Sequence, residues 1–148
     1  MPDLSSRQKR TLVATVVIIV AAVATAWALQ SLGSTDDYKV TVVRDGSAVA
    51  TYSLTDIAKM PARTVVMQDQ EQEGPPLLDV LERAGIRGFD EVKVVGMGAR
   101  DDGVIVLSAD EIDRDVLLDI AERGTTKLCG PDIAFDDRVR DVERIEVR

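Results

Sequence analysis

The chain has no histidine and one cysteine, Cys129, among its 148 residues. Without histidine it lacks the commonest general base, zinc ligand and axial haem ligand. A lone cysteine makes no intrachain disulfide, zinc ribbon or iron–sulfur site. Aromatic residues are only 3% of the chain, too few for platforms on which bases or sugars stack. With no G-x-S-x-G and no histidine to act as base, a serine hydrolase is disfavoured, and nothing marks out a Ser–Lys pair. Paired carboxylates for glycoside hydrolysis would lack an aromatic-lined cleft.

Acidic charge is abundant, and it is unevenly placed. Residues 36–148 hold 15 of the 18 Lys/Arg and 25 of the 26 Asp/Glu, a net of −10. Such a surface repels nucleic acid and anionic headgroups and favours basic partners. The first 35 residues are the reverse, with Arg7, Lys9 and Arg10 against Asp3.

No charge falls between Arg10 and Asp36, and Leu12–Leu29 is an apolar run of 18 residues broken only by Thr15 and Thr25. At 1.5 Å per residue, the run and its flanks reach about the 30 Å of a hydrocarbon core. The pattern predicts a basic cytoplasmic tail at 1–10, a transmembrane signal anchor at 11–33, a polar linker at 34–37 and an extracytoplasmic domain at 38–148. The sequence Ala26-Trp27-Ala28 also offers a cleavage site, but the apolar run is long for a signal peptide. Both readings export the domain. The small residues Ala21, Ala22 and Ala24 would permit close approach of another membrane helix.

Within 38–148, "YKVTVVRDGSAVATYSL" predicts a hairpin turning at Asp45-Gly46, and Ser53 predicts the cap of a short helix that Pro61 ends. "RTVVMQ" reads as a strand and "QDQEQEGPP" as a polar loop. In "PLLDVLERAG", Leu77, Leu78 and Leu81 form an apolar face, and Gly85 suits a left-handed stop. "EVKVVGM" and "VIVL" read as strands joined through the turn "ARDDG". Ser108 with Glu111 forms a capping box, predicting a helix from Asp113 to Arg123 with Val116, Leu117, Ile120 and Ala121 inward and Gly124 at its end. "LCGPDIAF" is expected to be extended with a turn at Gly130-Pro131, and "RIEVR" a closing strand. The expected order β-β-α-β-α-β-β-α-β-β implies an α+β domain with a mixed sheet.

Two motifs invite chemistry and fail on spacing. "GMGARDDG" places Asp101 where a dinucleotide fingerprint needs its third glycine, so it reads as a strand end and turn. The acids Asp101-Asp102, those at 110–115, and Asp136-Asp137 lack the calcium-loop spacing, and acids also favour helix N-termini.

The succession "YSLTDIAKMPARTVVM", "GPPLLDVLERAGI", "EVKVVGMGARDDGVIVLSADE", "LCGPDIAF", "DVERIEV" resembles the molybdopterin-binding domain of the sulfite-oxidase family over about residues 40–148. Leu54, Leu77, Leu81, Ala84, Gly85, Asp102, Gly103, Gly130, Pro131, Ile145 and Val147 carry the order. The resemblance implies a sulfite-oxidase-like scaffold. It also implies a molybdenum-binding cysteine thiolate between a strand and the helix at Leu77, but Val65–Pro76 has no cysteine there. The basic and histidine residues that hold the cofactor phosphate are missing, and Asp69, Glu71 and Glu73 would repel it. Cys129 falls in the later Gly-Pro segment, where the family has no metal ligand, and reads as a small buried apolar residue.

No catalytic or metal-ligating residue is therefore assigned, no cofactor-binding residue is identified, and no cofactor is expected. The expected function is that of a membrane-anchored accessory or binding module with a membrane-protein or envelope partner and no nucleic acid. The alternatives are a molybdopterin-dependent oxidoreductase with altered ligands, and a calcium-dependent adhesion or sensor domain.

Overall fold

Alternating valines build the sheet. In β1 (Lys39–Arg44), Val40 and Val42 are fully buried, and Asp45-Gly46 turns the chain into β2 (Ser47–Ser53). The computed structural model describes residues 37–98 and 101–148. The expected tail, membrane segment and most of the linker lie outside them. Among the described residues no helix is long and apolar enough to cross a membrane.

Ser53 caps α1 (Leu54–Ala58): its hydroxyl accepts from the Asp56 N–H at 3.1 Å while Asp56 accepts from the Ser53 N–H at 3.0 Å. β3 (Arg63–Met67) and β4 (Gln70–Gly74) form a separate two-stranded ribbon. α2 (Leu77–Arg83) buries Leu77, Val80 and Leu81 and ends at Gly85, φ +81°, where the Ile86 N–H donates back to the Leu81 carbonyl.

β5 (Glu91–Gly98) and β6 (Val104–Ser108) form the next hairpin, β7 (Leu117–Ala121) and β8 (Thr125–Cys129) another, and β9 (Val139–Val147) closes the chain. The sheet runs β2-β1-β9-β5-β6, with β8 joining β9 and β7 joining β8. β9 lies parallel to β1 and antiparallel to β5, so the sheet is mixed and the fold α+β, as the element pattern implied. Its register against β5 slips between Val95 and Met97, where Asp141 takes φ +47° and the backbone presses on Gly96. A Cβ at Gly96 would lie 2.5 Å from the Arg140 carbonyl oxygen. One at Gly103 would lie 2.2 Å from that of Gly96, so these glycines of "GMGARDDG" serve close backbone packing.

Two expectations are corrected. The segment 113–123 is not a helix. The Ser108–Glu111 capping box forms, but it starts only a 3-10 turn at Ala109–Glu111, and Leu117–Ala121 is strand β7. Leu117 and Leu118 are both fully buried, the first with Met67 and Cys129, the second in the main core. A helix turns about 100° between neighbours, whereas a strand alternates by 180° and sends consecutive leucines into two clusters. Glu122–Gly124 is then a three-residue hairpin loop with Gly124 at φ +80°.

"QDQEQEGPP" is likewise not a loop throughout, because Gln70–Gly74 pairs residue for residue with β3. The final strand is also longer than "RIEVR".

Candidate functional site

The β3–β4 ribbon occupies the stretch in which the resemblance implied a metal-binding loop. Gln68 and Asp69, at φ +52° and +62°, make the two-residue turn that tight hairpins favour. On one face Met67 and Gln72 are buried; on the other Val66 is 66% exposed beside Glu71 and Glu73. The end of the ribbon is fastened to β7. The Leu118 N–H donates to the Pro75 carbonyl at 3.0 Å, and the Leu77 N–H to the Val116 carbonyl at 2.8 Å. Gly74 lies so close that a Cβ there would sit 2.1 Å from the Leu118 carbonyl oxygen.

Cys129 lies beneath this ribbon. It packs with Met67, Leu117 and partly buried Val65 and is fully buried. The only thiol in the chain therefore touches the implied ligand stretch, but from the interior. Its Sγ faces the Leu117 carbonyl at 3.8 Å. Burial above all, then the nearby Asp119 carboxylate, pushes the thiol up to about 11. Lys127, the cation two residues before it, is held by Asp119 at 3.0 Å. A thiolate metal ligand needs the opposite setting: an exposed sulfur and a lowered pKa. The residues present do not fit a thiolate-bound molybdenum.

Beside the ribbon, where β4 and β7 diverge from their fastened end, runs a groove of about 400 Å³. Ile57, Met60, Pro75 and Ile120 give it an apolar lining, and Glu71, Glu73 and Asp119 supply acid groups. Neither Glu71 nor Glu73 forms an ion pair among the described residues. A larger hollow of about 580 Å³ near the β1–β2 turn brings together no comparable set: its Arg144 is held by Glu146 at 2.7 Å.

The acidic run at 110–115 is engaged locally. Glu111 accepts from Ser108, Asp113 from the Asp115 N–H, and Asp115 from Arg63 at 2.7 Å. Among the described residues no three His, Cys, Asp or Glu side chains gather into a metal-binding group.

A cluster of arginines that sequence reasoning missed forms at the start of β9. The Arg138 and Arg140 guanidinium carbons lie 5.2 and 5.9 Å from the Phe135 ring centroid. Arg138 is 6% exposed and its Nε is buried without a hydrogen-bond partner. Arg140 opens onto a hollow of about 270 Å³ shared with Arg123, whose Nη2 meets Asp141 at 2.7 Å. The alternation "RVR" was the available signal, but the ring that gathers the two side chains stands outside the strand.

No family model and no curated protein sequence matches the chain. Among solved structures it is similar to the sulfane dehydrogenase SoxCD from Paracoccus pantotrophus, with a TM-score of 0.62 at 16% sequence identity. The match covers 77% of this chain but 39% of that one, so this chain corresponds to well under half of its neighbour. The domain therefore shares its fold with part of that protein.

Proposed function

We propose that this chain is a membrane-anchored, extracytoplasmic accessory module that uses a sulfite-oxidase-like scaffold for binding, as a subunit of a membrane complex. The observation that carries this reading is the placement of Cys129: the one thiol is sealed under the β3–β4 ribbon with its proton held. The implied ligand loop is a closed hairpin carrying Asp69, Glu71 and Glu73, whose charge opposes a phosphate-bearing cofactor. The apolar run Leu12–Leu29 supports an anchor at 11–33, and its preceding basic residues support export of the domain.

A second reading is a molybdopterin-dependent oxidoreductase with altered ligands. It draws on the arginine cluster, where buried Arg138 has a donor to spare for an anion. One experiment separates the two: elemental analysis of the full-length protein purified gently from its own host membranes, with identification of co-purifying proteins. The accessory reading predicts no stoichiometric metal and a reproducible membrane partner. Stoichiometric molybdenum overturns it in favour of the second.

A further inference from the structure

We propose that the groove between β4 and β7 receives an extended basic segment of a partner protein, which pairs as an added strand with the free edge of β4. The inference rests on the binding-module reading and names the chemistry of its partner.

The edge follows from the turn. A two-residue hairpin closes on a hydrogen-bonded pair, here Met67↔Gln70, and pairing then alternates. Val65↔Gln72 and Arg63↔Gly74 exchange hydrogen bonds; Val66↔Glu71 and Thr64↔Glu73 do not. The backbone N–H and C=O of Glu71 and Glu73 thus point away from β3. The Gln72 side-chain amide donates to the Glu71 carbonyl at 3.1 Å, as an outward carbonyl allows. Among the described residues β4 has no second strand partner.

The facing wall has the same character. β7 pairs with β8 along one edge, and Leu118 sends its N–H to Pro75 from the other. Ile120, two residues on, directs its backbone groups to that same open side. By the register that Pro76↔Leu117 sets, an added strand would turn one row of alternate side chains toward Glu71, Glu73 and Ile120 and the other toward the face of Gln72 and Asp119. The recognised sequence therefore carries Lys or Arg at alternate positions, opposite Glu71 and Glu73. A second copy of this chain is the wrong occupant, since it would bring another acidic domain of net −10 against the same carboxylates.

The test uses full-length protein in detergent micelles and a blocked pentapeptide alternating lysine and valine, with a glutamate–valine peptide as control. Amide hydrogen exchange is read residue by residue. The lysine peptide should slow exchange at the Glu71 and Glu73 N–H groups at least about tenfold, and the control should not. The double variant Glu71→Lys/Glu73→Lys should weaken binding by about tenfold or more. Glu73→Pro, which removes a donor that β3 does not use, should abolish the protection without unfolding the ribbon.

No binding at millimolar peptide overturns the proposal, as does protection elsewhere or binding indifferent to Glu73→Pro. If a membrane partner co-purifies equally well with the Glu71→Lys/Glu73→Lys protein, this docking site falls while the accessory reading stands.

Discussion

Raising the pH should destabilise this domain through Cys129. The folded thiol is raised from its ordinary value of 9.0 to about 11, because burial and the Asp119 carboxylate both oppose the thiolate. An unfolded chain loses that proton near 9, so between 9 and 11 the native state binds more protons than the unfolded state. Stability is then complete below pH 9 and falls as pH rises. Two pKa units correspond to about 3 kcal/mol, of which about 2 kcal/mol is lost by pH 11. Cys129→Ala removes the titration and leaves a small cavity, a roughly pH-independent cost of about 1–2 kcal/mol. The assay is urea unfolding of both proteins under reducing conditions at pH 8, 9, 10 and 11, followed by circular dichroism. Tyrosines and lysines titrate alike in both, so the difference between them isolates the thiol. The wild-type advantage should shrink by about 2 kcal/mol across the series. An advantage that stays constant would refute the burial argument and reopen Cys129 as an accessible ligand.

Gly74→Ala should cost more than about 2 kcal/mol, seen as a lower denaturation midpoint, because its methyl would meet the Leu118 backbone rather than a movable side chain. Gly124→Ala, with only the Leu54 Cδ2 at 3.8 Å, should cost only the left-handed strain of about 1 kcal/mol. Asp56 and Glu111 are both held below the usual carboxylate range by hydrogen bonds from Ser53 and Ser108. Their contribution is present above the ordinary carboxylate pKa and lost as pH falls through the lowered value, so Ser53→Ala, which removes the hydroxyl bond and leaves the larger backbone one, should partly flatten the acid limb of a stability–pH curve.

The strands with alternating valines, the hairpin turn at Asp45-Gly46, the helix over Leu77–Arg83 and both capping serines were legible because local chemistry and tertiary packing agree there. Two segments were not. Val116, Leu117, Ile120 and Ala121 have helical spacing, and Gly124 serves equally as a helix stop or a hairpin residue. The deciding fact, that Leu117 and Leu118 enter different clusters, exists only once Met67 and Cys129 are in place. Gln70–Gly74 has little intrinsic strand preference and becomes a strand because β3 offers it a ladder. The groove depends on both misread segments, so its walls could not be seen from the sequence. The absence of a cysteine in Val65–Pro76 was fully visible, but the burial of Cys129 beneath that same stretch was not.

The opposed leucines supply a further prediction. Leu117→Ala removes packing from the cluster that covers Cys129, while Leu118→Ala empties space in the main core. Each should destabilise by about 2–5 kcal/mol. If Leu117–Ala121 is a strand, only Leu117→Ala opens a local route to the thiol. Reaction of Cys129 with a thiol reagent at pH 8, compared at equal global stability by adjusting denaturant, should then be several-fold faster in Leu117→Ala than in Leu118→Ala. A helix would place the two side chains about 100° apart on adjoining surface, and the two variants would speed the reaction alike. Equal rates would therefore restore the helix that local spacing favours and remove the β7 wall from the groove.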